Sequence, residues 1–128
     1  MNADRNNGSG RYTLPRAKIL RGKSHFDRLF REGNRLTASS VDLRYTALPD
    51  ATAGCLVAFV AGKKIGNAVV RNRCKRRMRE AYRHYPVQTD GSRGLHLILI
   101  AKKADVAHSQ VESDIRSLID RLQAQLVP

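Results

Sequence analysis

The segment from Gly62 to Tyr85, which reads GKKIGNAVVRNRCKRRMREAYRHY, limits the possible folds of this chain more than any other stretch. It holds nine Lys or Arg side chains and a single acid, Glu80. From about residue 68 to 85 its apolar residues recur every three or four positions, which predicts an amphipathic helix. The apolar stripe consists of Val70, Cys74, Met78, Ala81, Tyr82 and Tyr85. One side of this helix should therefore be buried, while the other presents cations to solvent.

The cations of this helix repel one another. Pairs three or four residues apart, such as Arg73/Arg76 and Arg79/Arg83, each cost about 0.2–0.5 kcal/mol. A solvated charged face is the plain alternative, but such a face ordinarily mixes both signs of charge. The formal net charge of +13 indicates a polyanionic partner. Nucleic acid is favoured over a membrane because no basic segment carries a large aromatic face, and its binding should weaken steeply with salt.

Length and composition indicate a single domain. With 128 residues, of which 41% are hydrophobic, the chain can build one core without disulfides. We predict a disordered lead over residues 1–13, which are rich in Asn, Gly and Ser, and one domain over residues 14–128. Cys55 and Cys74 form no CxxC pair and are expected to be small core residues of a cytoplasmic protein. The sequence has neither an apolar run of membrane-spanning length nor a secretion signal, so we expect no membrane insertion.

The first half of the domain predicts a helix followed by strands. Ser24 with Asp27 three residues later has the pattern of a capping box, and Gly33 is placed to end that helix. Residues 36–48 alternate between apolar and polar side chains, and residues 55–61 are almost wholly apolar. We expect these two runs to be antiparallel neighbours joined by a hairpin-type loop.

The second half predicts another strand and a closing helix. Residues 94–103 form a strong strand pattern that leaves His96 on its polar side. The last helix is predicted to start at a capping box of Ser109 and Glu112 and to be scaffold, with Asp114 among the acids of its polar side. Its apolar stripe is Val111, Ile115, Leu118, Ile119, Leu122 and Leu126. The order of helices and strands predicts an α+β sandwich in which helices cover a mixed sheet.

No pattern for protein-based catalysis is present in the sequence. Metal-assisted or acid–base cleavage needs paired carboxylates or suitably placed histidines, whereas the eleven acids are scattered and the four histidines stand in different contexts. We therefore predict neither a catalytic nor a metal site within the chain. The phosphate-binding pattern GxxxxGK[ST] also fails, because Val57 replaces its first Gly and Lys64 its Ser or Thr. NTP binding is not expected.

The stretch Lys63–Arg83, KKIGNAVVRNRCKRRMREAYR, closely resembles the protein subunit family of bacterial ribonuclease P, the ribonucleoprotein that removes the 5′ leader from precursor transfer RNA. The match is ungapped here, with Arg71-Asn72-Arg73 at the family's signature, and weaker similarity extends from about Leu20 through the last helix. The resemblance implies a two-layer α/β sandwich of order αβββαβα with a left-handed βαβ crossover. Pattern alone would favour the right-handed form.

The resemblance also implies how the work is divided. The RNA subunit with bound Mg²⁺ is the catalyst, so the chain belongs to an endoribonuclease without cutting RNA itself. The residues matching those that face the catalytic RNA are Lys63, Lys64, Arg71, Asn72, Arg73, Lys75, Arg76 and Arg79. Those matching the cleft for the single-stranded leader are Phe26, Phe30 and Tyr45, and Tyr45 matches only with a one-residue length difference.

Two alternatives stay open at this point. By pattern alone, Phe26 and Phe30 share one helix face with Leu29 and could either fill the core or stack on unpaired bases. The second alternative concerns the whole chain, which could be a structural RNA-binding protein of ribosomal type without a processing role.

Overall fold

A four-stranded mixed sheet and three helices make up the computed structural model, which describes residue 20, residues 22–89 and residues 91–126. The elements in chain order are α1 (Lys23–Glu32), β1 (Asn34–Thr37), β2 (Val41–Leu48), β3 (Cys55–Val60), α2 (Ala68–His84), β4 (Gly94–Ala101) and α3 (His108–Leu126). Short 3-10 turns lie at Ala51–Ala53 and Lys63–Ile65. The α+β class and the order αβββαβα are confirmed. The predicted lead over residues 1–13 lies outside the described residues.

The strand order is β1-β2-β4-β3, with β1, β2 and β4 antiparallel in turn and β3 parallel to β4. The expectation that the second and third strands pair directly was wrong, because β4 lies between them. Nearly every residue of β4 is buried, on both faces of the sheet, and the backbone N–H and C=O groups of a buried strand need hydrogen-bond partners along both of its edges. The predicted single run over residues 36–48 is two strands, joined by a turn that the Ala38 N–H closes on the Val41 carbonyl at 3.0 Å.

The two faces of the sheet are covered differently. Odd-numbered residues of β2, β3 and β4, such as Leu43 and Leu97, point towards α2 and α3 and form the main core with them. Even-numbered residues point towards α1, where Leu20, Leu29, Ala58 and Ile98 form a smaller cluster. His96 lies on this α1 side with 7% of its surface exposed, so the predicted polar side of its strand is buried. Both cysteines pack in or against the main core, as predicted.

Two helix starts differ from prediction. The α1 helix begins at Lys23 after Gly22, whose φ of 97° favours glycine, and this N-terminus has no side-chain cap, so Ser24 with Asp27 is not a capping box. Gly33 does end α1, where its N–H bonds the Leu29 carbonyl at 2.9 Å. The α3 helix begins at His108, which places Ser109 inside its first turn.

Among single side chains, Asp114 differs most clearly from the prediction. It was expected on the polar side of α3, but only 7% of its surface is exposed. One carboxylate oxygen accepts hydrogen bonds from the Ser40 N–H, at 2.8 Å, and from the Ser40 hydroxyl, while the other accepts from the Gln110 amide at 2.8 Å. A carboxylate supplied with its own donors can be buried despite lying in a polar pattern. Asp114 therefore fastens α3 to the β1–β2 turn.

No helix among the residues that the structure describes is long and apolar enough to cross a membrane.

Candidate nucleic-acid interface

The start of α2 is fixed by two adjacent residues. The Asn67 side-chain oxygen accepts a hydrogen bond from the Val70 N–H at 3.0 Å and so caps the helix. Gly66 has a φ of 151°, and a Cβ there would lie 3.1 Å from the Cβ of Val70. This pair therefore determines the residue at which α2 begins, and with it the direction in which each cation of the helix points.

Asn67→Ala should lower the free energy of unfolding by about 1 kcal/mol, because an orphan N–H of the first turn loses its acceptor. Asn67→Asp should keep the cap and be at least as stable as the unchanged protein, since a carboxylate is favourable at a helix N-terminus. Urea denaturation of the three proteins measures the difference. Equal stability of Asn67→Ala and the unchanged protein would show that this cap does not hold the helix start.

The apolar side of α2 is buried as predicted. Cys74, Met78, Ala81 and Tyr82 are buried in the main core. The Tyr82 ring packs edge-on against Phe59 of β3, with ring centroids 6.0 Å apart, and burial raises the pKa of the Tyr82 hydroxyl. Because large side chains seat the helix on the sheet, the opposite side of α2 is held in a fixed orientation.

The structure places the eight residues predicted to bind the catalytic RNA on α2 and on the 3-10 turn before it. The exposed members of this set are Lys63, Lys64, Asn72, Arg73, Arg76 and Arg79, and the partly buried ones are Arg71 and Lys75. Within the described part of the chain, none of these cations forms an ion pair with a carboxylate. We call this set the cationic face.

The other basic residues of α2 have partners within the protein. An Arg77 guanidinium N–H donates to the Val106 carbonyl at 2.7 Å, which ties α2 to the loop before α3. Glu80, the one acid of the helix, pairs with Arg83 and lies 3.1 Å from the His84 ring. Partial burial would raise the pKa of Glu80, but hydrogen bonds and charges from His84 and Arg83 outweigh it and lower that pKa. The acid of the helix is thus paired with Arg83 and His84, which do not belong to the cationic face.

Arg79 contacts an aromatic ring of the core. Its guanidinium carbon lies 5.5 Å from the centroid of the Phe59 ring, a cation–π contact. The residue is nevertheless exposed to solvent. An arginine held in this way loses less conformational entropy when it meets a phosphate.

Of the three aromatic residues predicted to form a leader cleft, Tyr45 lies apart from the two phenylalanines. Phe26 is partly buried against the smaller core and Phe30 is 41% exposed, and both project from α1. Tyr45 is 5% exposed on the opposite face of the sheet. Its hydroxyl donates to the Gln125 side chain, and burial raises its pKa. Since neighbouring strand residues point to opposite faces, Arg44 takes the position beside Phe30.

Arg44 is a residue that sequence reasoning missed. Its guanidinium carbon lies 5.5 Å from the Phe30 ring centroid. The strand alternation that placed Val41, Leu43 and Tyr45 on one face already implied that Arg44 faces the other. The sequence pattern did not show that α1 packs on that second face, so Arg44 could not be placed beside Phe30.

No group of three or more His, Cys, Asp or Glu side chains that could hold a metal ion occurs within residues 22–89 and 91–126.

Comparison with known proteins identifies one family. A sequence model of the family described as Ribonuclease P matches residues 14–123. A protein named Ribonuclease P protein component from Chlorobaculum tepidum is 36% identical over 132 residues, which cover 90% of this chain and 86% of that protein. A protein of the same name from Chloroflexus aggregans is also 36% identical, over 83% of this chain and 78% of that protein.

Solved structures show the same fold. The Staphylococcus aureus RNase P protein superposes with a TM-score of 0.68 at 20% identity, covering 84% of this chain and 97% of that chain. The RNase P protein from Thermotoga maritima gives a TM-score of 0.67 at 22% identity, covering 80% and 96%. At these identities the likeness is one of architecture.

Proposed function

This chain belongs to the ribonuclease P protein family, and on that premise we propose that its cationic face holds the catalytic RNA while the surface around Phe30 receives the 5′ leader of precursor transfer RNA. Ribonuclease P is the endoribonuclease that matures the 5′ end of transfer RNA, and its protein component works with an RNA subunit. The observation that carries the proposal is the cationic face, whose cations form no ion pair with any described carboxylate and most of which lie on a helix that buries its other side in the core.

The mechanism that we propose is positional. Phosphate contacts from the cationic face reduce repulsion between RNA segments, and contacts with the leader favour precursor over mature transfer RNA. Cations and aromatic rings bind and orient RNA but do not themselves cleave it. We therefore assign cleavage to the RNA subunit.

The metal implied for this enzyme is Mg²⁺, and ribonuclease P is a metal-dependent ribonucleoprotein. Mg²⁺ prefers oxygen ligands such as carboxylates and phosphates. On α2 the single carboxylate, Glu80, is already engaged by Arg83 and His84, so the RNA-facing residues do not fit a Mg²⁺ site. We propose that the RNA subunit holds the metal.

We also propose that residues 14–128 form one RNA-binding domain and that residues 1–13 precede it. The family match over residues 14–123 supports this division. The cytoplasmic location stays a prediction.

Reconstitution tests the function. The full chain is mixed with the catalytic RNA at low Mg²⁺, and cleavage of a leader-bearing transfer RNA precursor is followed. Faster cleavage is expected, because added cations offset phosphate repulsion. Tight RNA binding without faster cleavage would contradict the proposal and would support the structural RNA-binding alternative, which the relatives' names do not favour.

Phe30→Ala should reduce the holoenzyme's affinity for a leader-bearing precursor by roughly tenfold, because one base loses its aromatic partner at about 1–3 kcal/mol. Phe30→Tyr should keep the affinity, since the ring remains. Dissociation constants are measured for a leader-bearing precursor and for mature transfer RNA, with circular dichroism as the test of folding. An equal decrease in affinity for both RNAs would indicate a packing defect instead of a missing leader interaction.

A further inference from the structure

Arg44 of β2 is fastened to the last turn of α1. One guanidinium N–H donates to the Phe30 backbone carbonyl at 2.7 Å, and the guanidinium carbon lies 5.5 Å from the centroid of the Phe30 ring. The ring itself is 41% exposed, one of the two large hydrophobic side chains that are exposed among the described residues. The guanidinium thus lies over one face of an aromatic ring that is still partly open to solvent, which leaves the rest of the ring surface for a stacked base.

The charge of Arg44 is not neutralised within the described residues. Arg35 lies directly across from it on β1, so the two arginines share one face of the sheet. Arg35 has a carboxylate partner, Asp42, at 3.2 Å, and Lys102 lies 3.5 Å from the other oxygen of the same carboxylate. Asp42 is therefore engaged by two other cations, and Arg44 forms no ion pair with any described acid. Like charges directly opposite each other on a sheet are destabilising without a partner.

We propose that Arg44 is a positioning residue for the RNA leader, which binds a phosphate of the nucleotide whose base stacks on Phe30. This inference rests on the proposed role of Phe30. A guanidinium has five N–H donors in a planar fork. One is used by the Phe30 carbonyl, and the remaining donors suit a phosphate oxygen pair. Arg44 would thus fix the phosphate of the nucleotide relative to its stacked base. The Phe30 ring alone cannot do this, because it contacts only the base.

The test compares Arg44→Gln with Arg35→Gln in the reconstituted holoenzyme. The two variants remove the same charge from neighbouring positions of the same face, but Arg35 already has a carboxylate partner. Arg44→Gln is expected to raise the dissociation constant of a leader-bearing precursor about 5- to 10-fold and to lower the salt slope by about 1, because one phosphate is no longer neutralised. Binding of mature transfer RNA should be unchanged, and Arg35→Gln should stay within about twofold on both RNAs.

Two further variants separate positioning from folding. Arg44→Lys keeps the charge without the planar fork, so the salt slope should be retained while the affinity falls several-fold. In a Phe30→Ala background, Arg44→Gln should reduce the affinity for the leader-bearing precursor by a smaller factor than in the unchanged protein. The reason is that the ring that orients the guanidinium and holds the base is gone. Thermal unfolding of each free variant checks that the fold persists.

The inference is overturned if Arg44→Gln weakens binding of the leader-bearing precursor and of mature transfer RNA equally, or if it weakens binding of neither. It is also overturned if Arg35→Gln weakens precursor binding as much as Arg44→Gln does. Its failure differs from failure of the proposed function. If Phe30→Ala lowers leader affinity while Arg44→Gln does not, the leader site stands without Arg44. If the unchanged holoenzyme binds leader-bearing and mature RNA equally well, the proposed leader site itself is wrong, and the inference falls with it.

Discussion

Replacing both Arg76 and Arg79 with alanine should weaken binding of this chain to the catalytic RNA by about 100-fold or more. Each residue is exposed and without a carboxylate partner in the described structure, and a hydrogen bond to a charged group contributes about 1.5–3 kcal/mol. The slope of log affinity against log salt should flatten by about 2, one for each phosphate that the variant no longer neutralises. Equilibrium binding over a series of KCl concentrations measures both quantities.

The matched control is Arg28→Ala with Arg31→Ala. These two arginines also belong to one helix and are exposed, at 61% and 69% of their side-chain surface, but both lie close to Glu32 on α1. The control removes the same charge from a different face, so its salt slope for the catalytic RNA should change by less than half as much. If both pairs lower the slope equally, RNA responds to net charge alone and the cationic face is not its specific docking surface.

Asp114→Ala should lower the free energy of unfolding by about 3 kcal/mol. The substitution leaves the buried Ser40 N–H and hydroxyl without their acceptor, and a buried donor left unpaired costs about 1–3 kcal/mol. Urea denaturation of the free protein measures the loss. Glu112→Ala on the same helix is the control, and it should lower the free energy of unfolding by under about 0.5 kcal/mol, because its contact with the His108 ring at 3.9 Å is exposed. A small effect at Asp114 would mean that α3 does not depend on its contact with the β1–β2 turn.

What the sequence could predict was local. The α2 helix and its two sides follow from a 3.6-residue repeat of apolar residues and from an unusual run of one charge sign, both contained within a short segment. The Gly66-Asn67 pair lies directly before the predicted start. The buried side of α2 therefore matched the prediction from Val70 to Tyr82.

What the sequence could not predict depends on contacts between distant residues. The alternation of apolar and polar residues in β2 is the same whether β2 pairs with β3 or with β4. The sequence pattern therefore could not show which strand is the neighbour of β2. Asp114 and Ser40 are 74 positions apart, and nothing near Asp114 in the sequence reveals that pairing. Tyr45 was matched to the leader cleft through the resemblance, although its own alternation places it with Leu43 in the main core.

The position of β4 in the sheet also bears on the order in which this protein can fold as it is synthesised. The α2 helix carries most of the cationic face and packs on the sheet. The strand β4, which lies between β2 and β3 in that sheet, follows α2 in the chain and is therefore synthesised after it. A like-charged helix of this length has little stability alone. While the residues of β4 are still inside the ribosome, β2 and β3 lack the strand that lies between them in the finished sheet. We therefore expect the cationic face to reach its final orientation only after most of the chain has been translated.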